Sequence, residues 1–145
     1  MSYTITLHLN TTETMKLVES SVWHYANGGT WEISPSGSNT YVLTMSGSGT
    51  SGMLRFQLSS GELFAIAAGV HNYAPWSGVA VDLAPGNTLQ VVHKEFYAGG
   101  SRSSPTVKNS SATSKLGQQV SVVYDKEDGR AYDALINVVL NPLGG

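Results

Sequence analysis

Apolar side chains recur at every second position in short segments of this chain, and no long segment carries them at helical spacing. Tyr3, Ile5, Leu7 and Leu9 alternate with Thr4, Thr6 and His8; Leu54, Phe56 and Leu58 with Met53, Arg55 and Gln57; Val120, Val122 and Tyr124 with Ser121 and Val123. Successive side chains of a strand point to opposite faces, so this period belongs to strands with one face in a core. Further strands are predicted over residues 18–25, 40–45, 62–68, 79–83, 88–92 and 134–140. Between them stand turn-forming clusters: Asn27-Gly28-Gly29, residues 35–39, Ser59-Ser60-Gly61, Pro85-Gly86-Asn87 and Asp128-Gly129. Many short strands punctuated in this way predict a β-sandwich or a barrel. A short helix is expected near Pro75-Trp76 or around Ala84. Residues 98–115, rich in Ser, Gly and Thr, are expected to form a long surface loop.

The 145 residues make one domain, large enough to bury a core without metals or disulfides. Charged residues are only 12% of the chain, about half the usual share, so its polarity comes from Ser, Thr, Asn and Gly. A net charge of −2 excludes a strongly basic nucleic-acid binder and gives no electrostatic case for an anionic membrane. The absence of cysteine excludes disulfide scaffolds, zinc ribbons, thiol nucleophiles and iron–sulfur clusters. The first six residues have neither a basic start nor an apolar stretch, and the longest apolar run, residues 64–70, is far too short for a bilayer. The protein is therefore placed in the cytosol.

Residues 47–52 match G-x-G-x-x-G. A dinucleotide fingerprint requires a helix directly afterwards, and here a strand pattern follows, so nucleotide binding is set aside. Two readings of the segment stand: a Gly-rich connection permitting positive φ angles, and a loop whose backbone N–H groups and hydroxyls face a neutral polar ligand. The four histidines, His8, His24, His71 and His93, have no zinc-site spacing. No nucleophile elbow is present, so no catalytic residue is assigned, and neither a metal nor a cofactor is expected. Aromatics gather around the Asn-Gly turn in residues 22–31, and again beside His71 and Asn72 in residues 70–76. They fit a hairpin and a loop with core aromatics. They also fit a sugar site, in which amides, hydroxyls and backbone N–H groups meet sugar hydroxyls and an aromatic face covers the ring C–H groups.

The string from Trp23 through Trp31, then Leu43-Thr44-Met45, residues 47–52, Leu54-Arg55-Phe56 and Gly69 through Tyr73, closely resembles the fungal fruit-body lectin family. The agreement in spacing runs from Ser2 to about Tyr97, fades over residues 98–116 and resumes over residues 120–140. The resemblance implies an all-β fold: a two-sheet β-sandwich with a short helix–loop–helix connection, like that of the actinoporin cytolysins. It implies a homotetramer that binds glycans of glycoproteins or glycolipids, with galactose β1-3 N-acetylgalactosamine (the Thomsen–Friedenreich disaccharide) as ligand. The implied site residues are Ala26, Asn27 and Gly28 of the first turn, Ser48 and Gly49 of the Gly-rich loop, and His71 with Asn72. Ser46 departs from the family, which usually has Gly there.

Many members carry a second site, for terminal N-acetylglucosamine, and here its residues are changed. The family's Asp is replaced by Gly78 and its Thr by Val81, and the family Tyr falls near Ser110. Arg102 alone is kept. The resemblance thus implies one working site per chain and a second that is lost. Two other functions remain in view. A membrane-active cytolysin on the same fold would need an amphipathic N-terminal helix, where residues 3–9 read as a strand. A glycan-processing enzyme has no motif in its favour.

Overall fold

The three alternating segments form strands because each presents one apolar row to the same core. In the computed structural model, the described residues are 3–11, 15–24, 29–33, 39–45, 50–58, 61–71, 74–84, 86, 108–115, 117–128 and 131–139. They contain ten strands: β1 (Tyr3–Asn10), β2 (Met15–His24), β3 (Gly29–Ile33), β4 (Thr40–Met45), β5 (Thr50–Leu58), β6 (Leu63–His71), β7 (Ala74–Leu83), β8 (Ser110–Thr113), β9 (Gln119–Asp128) and β10 (Ala131–Val139). One sheet has six strands in the order β3-β4-β1-β10-β9-β8, the other four in the order β2-β5-β6-β7. β1 lies inside the larger sheet, parallel to β10 and antiparallel to β4.

The core lies between the sheets. Ile5 and Leu7 of β1, Leu43 and Met45 of β4, Val122 of β9 and Ala134 and Ile136 of β10 enter it from the larger sheet. Leu54, Phe56, Ile66 and Val70 enter it from the smaller. Phe56 stands at the junction, edge-on to Tyr41 with ring centroids 5.6 Å apart and stacked on Phe64 at 5.4 Å. Each such side chain contributes about 1.5–3 kcal/mol by leaving water. Val123, on the alternate row of β9, is exposed as its position predicts.

The smaller sheet is buried on both faces, which alternation in β5 alone does not reveal. Met53, Ala65, Ala67, Trp76 and Ala80 belong to a second apolar cluster behind the first. The unbroken apolar run of β6 is the sequence counterpart of such a doubly buried strand. Arg55 also lies on this face. Its Nη1 donates to Glu19 Oε1 at 3.2 Å and its Nη2 to the Ala84 carbonyl at 3.3 Å, so the buried cation is matched by a carboxylate and a backbone acceptor.

Some expectations are corrected, and others fall on residues outside the described ones. Pro75 and Trp76 lie in β7, not in a helix; β7 borders the smaller sheet, the place where strands tolerate proline. No helix begins at Ala84 among the described residues, and its carbonyl is held by Arg55. The helix–loop–helix connection is not found among the described residues, and the strand predicted at 88–92 lies outside them. Within the loop expected over 98–115, Ser110–Thr113 forms β8 beside β9. Its Ser110 Oγ shares a hydrogen bond of 2.8 Å with Ser77 Oγ, which in turn donates to the Lys108 carbonyl at 2.7 Å. Polar side chains hold this strand to β7, so it carries no apolar alternation to read. The segments flanking the Asn-Gly turn are not a hairpin, because β2 and β3 belong to different sheets.

Tyr124 of β9 closes the gap to β7 by donating its hydroxyl to the Trp76 carbonyl at 2.9 Å. Burial pushes its phenol far above the ordinary value of 10.0, and burial also raises Tyr41 and Tyr132. A phenol whose folded pKa lies above its unfolded one contributes stability that is whole below pH 10. That stability is lost as pH rises, because the unfolded chain releases protons that the folded one keeps. Urea denaturation should therefore show a plateau below about pH 9 and a decline above about pH 10. Tyr124→Phe should be less stable at neutral pH and should lose stability less steeply above pH 10, by about 1.4 kcal/mol per pH unit.

Candidate functional site

Strand pairing gathers three chain connections at one end of the sandwich. In the smaller sheet, His24 at the end of β2 pairs with Thr50 at the start of β5, Thr50 pairs with Val70 of β6, and His71 pairs with Ala74 of β7. In the larger sheet, Gly29 at the start of β3 pairs with Met45 at the end of β4. Residues 25–28 and 46–49 therefore each join one sheet to the other, and residues 72–73 join β6 to β7, all from this end.

The sheets converge closely here. A Cβ built on Gly29 would lie 3.0 Å from the Thr44 carbonyl and 3.3 Å from both Thr50 Cγ2 and Val22 Cγ1, so β3 touches the smaller sheet where the connections leave. Gly69 of β6 meets Ser51 of β5 so tightly that a Cβ would stand 2.5 Å from Ser51 Cβ. The Trp31 indole covers Gly52, with Cζ2 2.6 Å from where a Cβ would be, and its Nε1 donates to the Ser21 carbonyl at 2.9 Å. These contacts revise the reading of residues 47–52. Thr50, Ser51 and Gly52 already belong to β5, and Gly52 is needed for the approach of an indole rather than for a positive φ.

Of the site residues inferred from the sequence, Ala26, Asn27, Gly28, Ser48, Gly49 and Asn72 lie outside the described residues, as does Arg102. His71 ends β6, placed by its backbone. Gly78 and Val81 are both in β7 but serve opposite faces of the sheet. Gly78 is buried in line with Trp76 and Ala80 of the rear cluster, and Val81 packs against the main core. Just beyond, the β6–β7 register shifts between Leu63 and Ala65, and Asp82 takes a φ of 57°. The Asp82 carboxylate accepts the Lys115 N–H through both oxygens at 3.1 and 3.2 Å. The role of Trp31 is not evident from its aromatic neighbours; its signal is the alternation Thr30, Trp31, Glu32, which turns the indole inward. No group of acidic or His side chains among the described residues could hold a metal ion, and no helix among them is long and apolar enough to cross a membrane.

Compared with known families, residues 1–136 match the fungal fruit body lectins. The chain belongs to the fungal fruit body lectin family. This family member is 38% identical to the Boletus edulis lectin over 148 aligned positions, covering 97% of the chain and all of that protein. The crystal structure of the wild-type Xerocomus chrysenteron lectin superposes with a TM-score of 0.87 at 38% identity, over 96% of the chain and 100% of that lectin. Nakanori, described as a lipid-binding protein, has a TM-score of 0.57 at 13% identity, over 94% of the chain and 70% of its own. That likeness speaks to the fold alone. The family and these lectin relatives are defined by sugar recognition, not by catalysis.

Proposed function

We propose that this lectin binds galactose β1-3 N-acetylgalactosamine at one site per chain, formed by Ala26, Asn27, Gly28, Ser48, Gly49, His71 and Asn72. The observation that carries the reading is the pairing of His24 with Thr50, Thr50 with Val70 and Gly29 with Met45, which brings the three segments bearing these residues to one end of the sandwich. A sugar with hydroxyls around its rim needs donors and acceptors from several directions, which favours a site drawn from three segments over one drawn from a single loop. Ser48→Ala and Asn72→Ala should each weaken disaccharide binding by about 1–3 kcal/mol in titration calorimetry, with Tm nearly unchanged. A large fall in Tm with affinity preserved would assign both side chains to loop structure instead.

The N-acetylglucosamine site of the family is lost in this chain. Gly78 offers no side chain, and Val81 faces the main core, so β7 presents no pair of polar groups there. Calorimetry with N-acetylglucosamine should give no saturable binding comparable to that of the disaccharide. The lectin works as a homotetramer, since weak sugar sites gain avidity of roughly 10²–10⁴ when several engage one glycan-bearing surface. Light scattering should return four chain masses. Pore formation draws no support from β1, which is paired on both sides within the larger sheet where a cytolysin would carry an insertion helix.

A further inference from the structure

We propose that the outer face of the six-stranded sheet is where two copies of this chain meet, packed sheet against sheet about a two-fold axis that runs along β1. The inference rests on the homo-oligomer of the proposed function and not on the sugar it binds.

The outward positions of β1, β4 and β10 alternate with the buried ones, and Asp133 alone among them carries a carboxylate or an ammonium. Hydroxyls, amides, one imidazole and apolar groups fill the rest. Of the three large apolar side chains left exposed among the described residues, two stand on this face: Val123 of β9, 37% exposed, and Val139 of β10, 57% exposed. Val123 lies directly opposite Leu135 of β10, which is half-buried. One exposed valine is ordinary on a protein surface. Apolar groups in the open on a face almost without charge have the make-up of an interface centre.

The area is sufficient. The six strands, about 4.8 Å apart and rising about 3.3 Å per residue, offer roughly 700 Å² in projection. A standard interface takes about 800 Å² of accessible surface from each partner, and side chains roughen a face beyond its projection.

The charges fix the arrangement. Strand register sets Glu32 of β3, Val42 of β4, Thr6 of β1, Asp133 of β10 and Lys126 of β9 in one row across the sheet. β3 and β9 each lie two strands from β1, on opposite sides. A two-fold axis in the plane of contact along β1 therefore lays β3 of each copy over β9 of the other. Glu32 then meets the Lys126 of the other copy at both ends of the row, so the contact is isologous. Packed sheets stay within about 30° of alignment, which keeps charges about 10 Å from the axis within reach of a lysine side chain. An axis running across the strands at this row would instead set Glu32 on Glu32 and Asp133 on Asp133. A second copy thus fits this face in one orientation.

Sedimentation velocity on the whole chain tests the face. Val123→Lys and Val139→Lys should each halve the mass of the parent assembly, because each sets a charge and its symmetry copy into a closed apolar contact. Both positions are exposed, so the strand signal in circular dichroism should be unchanged. Glu32→Lys should also halve the mass, and adding Lys126→Glu to it should restore the parent mass. A parent that assembles while both valine variants keep its mass would overturn this proposal and leave the homo-oligomer standing. A charge swap that fails to restore assembly would overturn the two-fold arrangement. A parent of one chain mass would overturn the homo-oligomer and this contact together. A parent of two chain masses, halved by the valine variants, would overturn the tetramer and uphold the contact.

Discussion

Phe56→Ala should cost about 3–5 kcal/mol of folding stability, against a total of about 5–15 kcal/mol for a domain of this kind. Phe56 is wholly buried and is the largest of the fully buried side chains among the described residues. Its ring meets Tyr41 of the larger sheet edge-on and stacks on Phe64 of the smaller, so truncation removes contacts that join the layers as well as contacts within one. The hole opens between two hydrogen-bonded sheets, whose backbones cannot easily close over it, which places the cost toward the upper part of the range. Guanidinium titration should show the midpoint shifted with the slope unchanged, and calorimetry a Tm lower by an amount of order 10 °C. A cost below about 1 kcal/mol would mean that the sheets approach each other freely.

Gly69→Ala should cost about 3 kcal/mol, the top of the usual overpacking range. The new Cβ would stand 2.5 Å from Ser51 Cβ, 2.7 Å from the Thr50 carbonyl and 2.9 Å from Ser51 Cα. Two of these three neighbours are backbone atoms of the adjoining strand, so no rotamer change relieves the contact and β5 must draw away from β6. Thr50 and His71 border residues 46–49 and 72–73, so the same movement should also weaken binding at the site proposed there. Gly86→Ala is the control. Nothing lies within 4 Å of a Cβ there and its φ is ordinary, so its cost should stay within about 0.5 kcal/mol in the same denaturation series.

The strands with one buried face were legible because alternation and burial are the same fact seen from two sides. Tyr3, Ile5 and Leu7 are inward in β1, and Val120, Val122 and Tyr124 in β9, as the pattern required. The limits of strand reading appear where side chains do other work. β8 is built from Ser110 to Thr113 and is held by hydroxyls, so no apolar row marks it. β3 is short and follows a Gly-rich stretch, so residues 29–33 are not among the predicted strands. Pro75-Trp76 reads as the place of a short helix, yet the segment is strand, and a border strand tolerates its proline. For the proposed glycan site, the residues came from resemblance in sequence, and only strand pairing shows that the strand ends flanking their three segments lie at one end.

The sequence by itself determined that this chain is all-β, that its strands turn particular rows inward, and that it belongs among the fungal fruit body lectins. Those are properties of local period and of motif order, both written along the chain. Tertiary structure decided which sheet each strand joins, because alternation states which face is buried and not what lies against it. It parted β2 from β3 across two sheets, buried the smaller sheet on its second face and turned Val81 into the core. It also set Trp31 upon Gly52, where the absence of a side chain on one strand acquires meaning only when the indole of another arrives.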